Sequence, residues 1–285
     1  MRTIGVVGGG QLARMMQPAG IALGLRLRLL AETAGSAAAQ VIPDAVVGDY
    51  TDAATVSRFA AGCDAVTFDH EHVPTAILRD LAAAGVAVRP GPDALVHAQD
   101  KAVMRQRLGA MGVPCPAWEV VADEAALVSF GESHGWPVIA KTSRGGYDGK
   151  GVWKLDGPQD AGVPFSGLAG LMAGAVVIAE EYIDFRRELS VLVARRPGGQ
   201  AVAYPVSETE QTDGICTATT TPAPGLLPDQ IRDLKAMALR IATELGVVGV
   251  LAVELMEARD GRIVVNELAM RPHNTGHWSI DGAVT

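Results

Sequence analysis

A short apolar run, Thr3-Ile4-Gly5-Val6-Val7, leads straight into Gly8-Gly9-Gly10, and an amphipathic stretch from Gln11 to about Leu23 follows. The cycle then repeats. Apolar runs at 25–31, 45–47, 65–68 and 86–88 alternate with helix-patterned stretches over 52–61 and 74–84. Strands and helices alternating at this pace specify a parallel, doubly wound sheet, so the chain opens as an α/β domain. Pro90-Gly91-Pro92 is a strong breaker and closes that domain, giving residues 1–92. A helix is expected from Pro92 to Met111, stopped by Gly112 and Pro114. Beyond it lies an α+β portion, 93–285. It holds a glycine-rich stretch of short strands to about 185, a Pro-rich connection (221–228), a helix over 229–245 and a strand pair over 247–267.

Composition removes several functional classes. With 48% hydrophobic residues in 285, the chain has ample material for a core. A net charge of −8 and no basic stripe argue against nucleic acid and against an anionic membrane surface as partners. No apolar run approaches the roughly 18 residues of a spanning helix, and the opening lacks a leader pattern, so the expected location is cytoplasmic. Three scattered cysteines, Cys63, Cys115 and Cys216, offer neither a disulfide framework nor a metal spacing. Only five of the 24 basic residues are lysines, and two of them, Lys141 and Lys150, flank one glycine-rich loop.

That loop, Lys141-Thr142-Ser143-Arg144-Gly145-Gly146-Tyr147-Asp148-Gly149-Lys150-Gly151, lies between two short strands. Its glycines permit positive φ and expose successive N–H groups, as a polyphosphate cradle requires. It lacks the spacing of a Walker P-loop. The opening Gly8-Gly9-Gly10-Gln11-Leu12-Ala13 fits G-x-G-x-x-A, with Glu32 near the end of the next strand. A tight turn, a phosphate or phosphoribosyl site, and a dinucleotide site all remain open there. Glu180-Glu181-Tyr182-Ile183, read as following a strand at 175–179, is either a solvated turn or the edge of an adenine site with Glu188 beyond it.

The final strand pair is more constraining. If Asp260-Gly261 is a two-residue hairpin turn, Glu254 lies directly across the ladder from Glu267. Two facing carboxylates repel unless a cation lies between them. Their apolar neighbours Leu251, Val253, Leu255, Val264, Val265 and Leu268 argue against two acids splayed into water. A hard divalent ion that also binds phosphate oxygens fits, with Asn266 as a neutral oxygen nearby. Arg271, His273, Asn274, His277 and Trp278 follow at once, and Arg271 suits a phosphate or carboxylate. Asp69-His70-Glu71-His72 closes a strand of the first domain and reads as a substrate-facing or solvated turn.

Taken in order from residue 4 to residue 282, these motifs resemble the ATP-grasp superfamily. Gly9-Gly10-Gln11-Leu12, Gly146-Tyr147-Asp148-Gly149, Asp213-Gly214-Ile215 and Arg271-Pro272-His273-Asn274-Thr275-Gly276-His277-Trp278 are similar to the N5-carboxyaminoimidazole ribonucleotide synthetases within it. The resemblance implies a Rossmann-like pre-ATP-grasp domain followed by an ATP-grasp fold. The latter would comprise a mobile lid over about 115–185 and a metal-binding central sheet over about 186–285.

It further implies a ligase that uses ATP, Mg2+ and bicarbonate to carboxylate 5-aminoimidazole ribonucleotide through carboxyphosphate. Lys101, Lys141, Gly146, Tyr147, Asp148, Gly149, Lys150, Gly151, Glu180, Glu181, Ile183, Glu188, Gln211, Asn266 and Glu267 would bind the nucleotide. Lys101 stands where an arginine is common and Gln211 where histidine is common. Glu254 and Glu267 would carry the metal. Gln11, Leu12, Glu71, Tyr147, Asp148 and Asn274 would meet the ribonucleotide. Arg271, His273, Asp148 and Lys141 form the implied catalytic set. A homodimer is implied, as is a small C-terminal domain beyond Thr285, so the chain reads as truncated. Competing readings are a formate-using sister ligase, an NAD-dependent oxidoreductase, and a non-catalytic nucleotide-binding fragment.

Overall fold

The computed structural model describes residues 1–145, 151–166, 174–212 and 214–282. Three sheets organise it. The first is parallel, in the order β3-β2-β1-β4, from β1 (Thr3–Val7), β2 (Arg26–Ala31), β3 (Ala45–Val47) and β4 (Ala65–Phe68). The run 86–88 contributes only a single bridge, Val66 to Val88, rather than a strand. Helices Gln11–Ala22 and Ala53–Ala60 connect β1 to β2 and β3 to β4, and helix Thr75–Ala83 follows β4.

The expected long helix over 92–111 is two helices, Pro92–Gln99 and Lys101–Ala110, broken at Asp100. Asp100 has extended backbone, and its carboxylate accepts from the N–H groups of Ala102 and Val103. A good N-cap there outweighs continued helix. The break sets Lys101 at the first position of a fresh helix.

The second sheet, order β5-β8-β6-β7, is antiparallel: β5 (Trp118–Val121), β6 (Val138–Thr142), β7 (Val152–Leu155) and β8 (Val177–Glu181). One face carries Val138, Ala140, Val177 and Ala179, which pack with Leu127 and Phe130 of helix Glu124–His134. By the two-residue period the other face carries Ile139, Lys141, Ile178 and Glu180.

The third sheet runs β12-β11-β9-β13-β14, from β9 (Phe185–Arg195), β11 (Ser207–Thr212), β12 (Ile215–Thr220), β13 (Gly249–Ala258) and β14 (Ile263–Ala269). The short β10 (Ala201–Ala203) also pairs with β9. Leu189, Val191, Val193, Leu251, Val253, Leu255 and Val265 point into a core shared with Leu234, Ala238 and Ile241 of helix Pro228–Glu244. The opposite face of the same strands carries a polar patch, Glu188, Ser190 and Glu254, beside Leu192, Ala252 and Met256. Among the described residues no helix is long and apolar enough to cross a membrane.

Candidate active site

A cleft of about 590 Å³ opens over that polar patch. Its floor is set by strand periodicity: Leu189, Val191 and Val193 pair with Leu255, Val253 and Leu251 on the core side. Glu188 and Ser190 therefore share the cleft side with Glu254. Glu267 pairs directly with Glu254, as expected, but by a different route. The turn is not a two-residue Asp-Gly loop. Ala258 bonds across to Arg262, leaving Arg259, Asp260 and Gly261 in the loop, with Gly261 at φ +91°. Near the turn, Leu255 faces Val265 and Met256 faces Val264, one residue out of the expected register. A bulge at Asn266 restores it, so Glu254 faces Glu267 after all. The bulge also lets consecutive residues Asn266 and Glu267 both line the cleft.

The two facing carboxylates have found cations. Lys101 Nζ lies 2.7 Å from Glu267 Oε1, and His273 Nε2 lies 2.9 Å from Glu254 Oε1. Burial alone would raise the Glu254 carboxyl, but the His273 hydrogen bond and the charges of His273, Arg271 and Lys101 hold it below its ordinary value. Glu188 has no such help. Burial, and then the negative charge of Glu254, push its carboxyl up to about 7, although Gln211 Nε2 donates to it at 3.3 Å.

A folded carboxyl that binds its proton more tightly than the unfolded chain does stabilises the fold below the unfolded value, 4.5, and that help is lost as pH rises through 7. The melting temperature of the ligand-free protein is therefore expected to carry a falling component between about pH 5 and 8 that Glu188→Gln removes. Melting curves of both proteins across that range, showing equal slopes, would exclude this origin.

On the second sheet, Lys141 Nζ lies 2.7 Å from Glu180 Oε2 and donates to Asn266 Oδ1 at 3.2 Å. Glu180 does not follow a strand; it lies inside β8, 2% exposed, and also pairs with Arg105 Nε at 2.7 Å. Burial opposes its charge, but Lys141 and Arg105 hold its carboxyl down at about 2. Its side chain is therefore engaged by two cations, which leaves its main-chain groups as what it could offer a base. Glu181 likewise accepts from Arg262 Nη2 (3.0 Å) and the Ala117 N–H (3.2 Å), and Ile183 packs with Ala258 and Val264 outside the cleft. Gly151, at φ +69°, lies off the cleft lining, whereas Gly145 and Val152 line it. Gly146, Tyr147, Asp148, Gly149 and Lys150, and Asp213 of the second motif, lie outside the described residues.

In the glycine-rich opening, three main-chain N–H groups are bound by the chain's own carboxylates. Asp69 Oδ2 accepts from the Gly10 N–H (2.9 Å) and Oδ1 from the Ala13 N–H (2.6 Å), so an internal carboxylate caps the helix. A Cβ on residue 10 would come within 2.2 Å of Asp69 Oδ2, and Gly8 adopts φ +104°. Glu32, read as a ribose acid, accepts instead from the Gly9 N–H (3.0 Å) and pairs with His70 (3.0 Å). Gln11 is exposed and off the cleft lining, whereas Leu12 and Asn274 line it. Glu71 also lines the cleft, where it accepts from the Met270 N–H (2.7 Å) and Arg271 Nε (3.0 Å), tying the first domain to the end of β14.

Two supporting residues, Arg105 and Asp100, went unread in the sequence, and Asp69 was read only within a substrate-facing or solvated turn. Of these only Asp100 carried a local signal, an acid immediately before a helical stretch.

The donor set suits magnesium in a limited form. Among the described residues, no cluster of three or more histidine, cysteine or acidic side chains is arranged as a metal cage. Two facing carboxylates with the Asn266 amide oxygen beside them match instead an ion completed by phosphate oxygens and water.

A family described as the ATP-grasp domain matches residues 106–285, and one described as the ribonucleotide synthetase preATP-grasp domain matches 1–99. The N5-carboxyaminoimidazole ribonucleotide synthase of Mycobacterium tuberculosis is 53% identical over 99% of this chain, which spans 65% of that relative's length. The Corynebacterium ammoniagenes enzyme of the same name is 47% identical over 100% of the chain and 70% of its own length. Among solved structures, the Aspergillus clavatus N5-carboxyaminoimidazole synthase in complex with ADP and 5-aminoimidazole ribonucleotide superposes with a TM-score of 0.87. It is 28% identical over 98% of this chain and 72% of that one. The chain therefore belongs to the ATP-grasp superfamily, within the family of N5-carboxyaminoimidazole ribonucleotide synthases.

Proposed function

We propose that this chain carries out the ATP- and bicarbonate-dependent carboxylation of 5-aminoimidazole ribonucleotide, or the nucleotide-activating part of it, in purine biosynthesis. A bicarbonate oxygen attacks the γ-phosphorus of ATP and ADP leaves, giving carboxyphosphate. The exocyclic amine then gains the carboxyl group, with loss of phosphate and a proton. The observation that carries this reading is the meeting, in one cleft, of Glu254 and Glu267 with Lys101 and Lys141 on one side and Arg271 and His273 on the other. Glu254 and Glu267 would hold Mg2+, which when bound neutralises phosphate charge in the transferring group. Lys101 and Lys141 would orient the phosphates once released from Glu267 and Glu180. Arg271, its Nε fixed by Glu71 and its Nη1 by the Pro272 carbonyl, would offer Nη2 to bicarbonate or carboxyphosphate. His273, bound to Glu254 and to Thr275 Oγ1 (2.9 Å), is held beside it. Leu12, Asn274 and Glu71 are the described candidates for the ribonucleotide, with Tyr147 and Asp148. The domain division at residue 92, a homodimer and a cytoplasmic location complete the reading, and sedimentation tests the dimer.

Catalysis in such a site is mostly positioning and electrostatic stabilisation. The test is ADP release by this chain and by one extended to the length of its relatives. Release is expected to depend on both bicarbonate and the aminoimidazole ribonucleotide. Release with formate and glycinamide ribonucleotide instead would overturn the assignment.

A further inference from the structure

Arg105 is 1% exposed, and all three of its guanidinium nitrogens are engaged. Nε meets Glu180 of β8, whereas Nη1 and Nη2 donate to the main-chain oxygens of Val265 and Asn266, each at 2.8 Å. Those two carbonyls belong to the bulge of β14. A bulge leaves main-chain groups out of the ladder, and buried carbonyls without donors are costly. The consequence of losing the bulge is specific. In the register found near the turn, Asn266 would face Glu254 and Glu267 would fall on the opposite, apolar face. Lys101, one helical turn before Arg105 and on the same face of the helix, reaches the Glu267 side chain. One helix face thus addresses the bulge twice, through its backbone and through its carboxylate.

The geometry points to Arg105 as a positioning residue that holds the β14 bulge, and through it Glu267, in the orientation the metal–nucleotide site requires. This rests on the proposed reading of that site. Arg105→Lys keeps a cation beside Glu180 but cannot span both carbonyls. Calorimetric titration with ATP over a series of Mg2+ concentrations is the test. The Mg2+ needed for half-maximal ATP affinity is expected to rise roughly tenfold or more in the variant, as for loss of a group that orients a ligand. A residue that merely supports the fold would lower the binding stoichiometry and leave the Mg2+ dependence unchanged; that result overturns the inference while the wild type still binds MgATP. A wild-type protein that binds no MgATP overturns the reading of the site and this inference with it. Should Arg105→Lys not fold, Arg105→Gln, which cannot span both carbonyls and leaves Glu180 its Lys141 partner, takes its place. The same rise in Mg2+ requirement is expected there, and its absence is equally fatal.

Discussion

Glu267→Gln is expected to lower bicarbonate-dependent ADP release by roughly 10²–10³-fold, the scale on which removing one preorganised charge-stabilising group acts, while the chain remains folded. The substitution keeps the volume of the side chain and leaves an amide oxygen that can still accept from Lys101, now 2.7 Å from the carboxylate. What disappears is one of two negative charges facing each other across β13 and β14. An ion of this kind leans on one or two carboxylates and on the phosphates it bridges, so halving the protein's charge removes much of its hold. The loss should fall on turnover as well as on MgATP affinity, because the charge it neutralises grows as the phosphoryl group transfers. Excess Mg2+ should recover part of the affinity term only. A variant that releases ADP normally under bicarbonate would remove Glu267 from the metal site, and the facing carboxylates would then need another explanation.

The pairing that underlies this result shows both the reach and the limits of sequence. Facing acids were legible because a strand's period is two and a hairpin turn fixes a sum of residue numbers. Yet that sum was obtained from the wrong turn. The loop has three residues, and the displaced register is repaired by a bulge at Asn266. Bulges carry no reliable local signature, since what stabilises this one is Arg105, 161 positions away in the chain. The same distance explains why Arg105 itself was invisible: an arginine on a short helix is usually solvated, and only the folded chain shows which carbonyls need it.

The glycine-rich opening failed differently. Its strand, turn and helix were readable, and so was the need for glycine, but a tight turn, a phosphate or phosphoribosyl site and a dinucleotide site all stayed open. The folded chain places Asp69, from the far end of β4, on the helix amides and Glu32 on Gly9. Propensity cannot report that a favourable anion site is already filled by the chain's own carboxylate. The Glu180-Glu181 pair was misplaced for a related reason. Acidic residues in a central strand contradict the apolar pattern of buried strands, and only the two cations from Lys141 and Arg105 make Glu180 tolerable there.

Lys141→Met is expected to have two separable effects. Its ammonium lies 2.7 Å from Glu180 and 3.2 Å from Asn266 Oδ1, at the edge of the cleft. Removing a charged donor from the phosphates should weaken ATP binding roughly 10- to 100-fold, the equivalent of one charge-assisted hydrogen bond. The second effect acts on the fold. Glu180 has its carboxyl depressed from 4.5 to about 2, against the opposing effect of burial, with Lys141 as the larger of its two cationic influences. A depressed carboxyl stabilises the folded state above its unfolded value, and that contribution fades as pH falls from about 4.5 towards 2. For Glu180 it amounts to about 3 kcal/mol in all. Without Lys141 only the Arg105 share remains, so the variant should melt well below the wild type at pH 7. The gap should close on acidification, because a protonated Glu180 no longer needs Lys141. Adding Glu180→Gln to Lys141→Met should close most of it at pH 7 as well, without restoring ATP binding. A melting gap that persists unchanged at pH 3 would show that Lys141 supports the fold by packing rather than by charge. ATP affinity equal to the wild type would remove it from the nucleotide site.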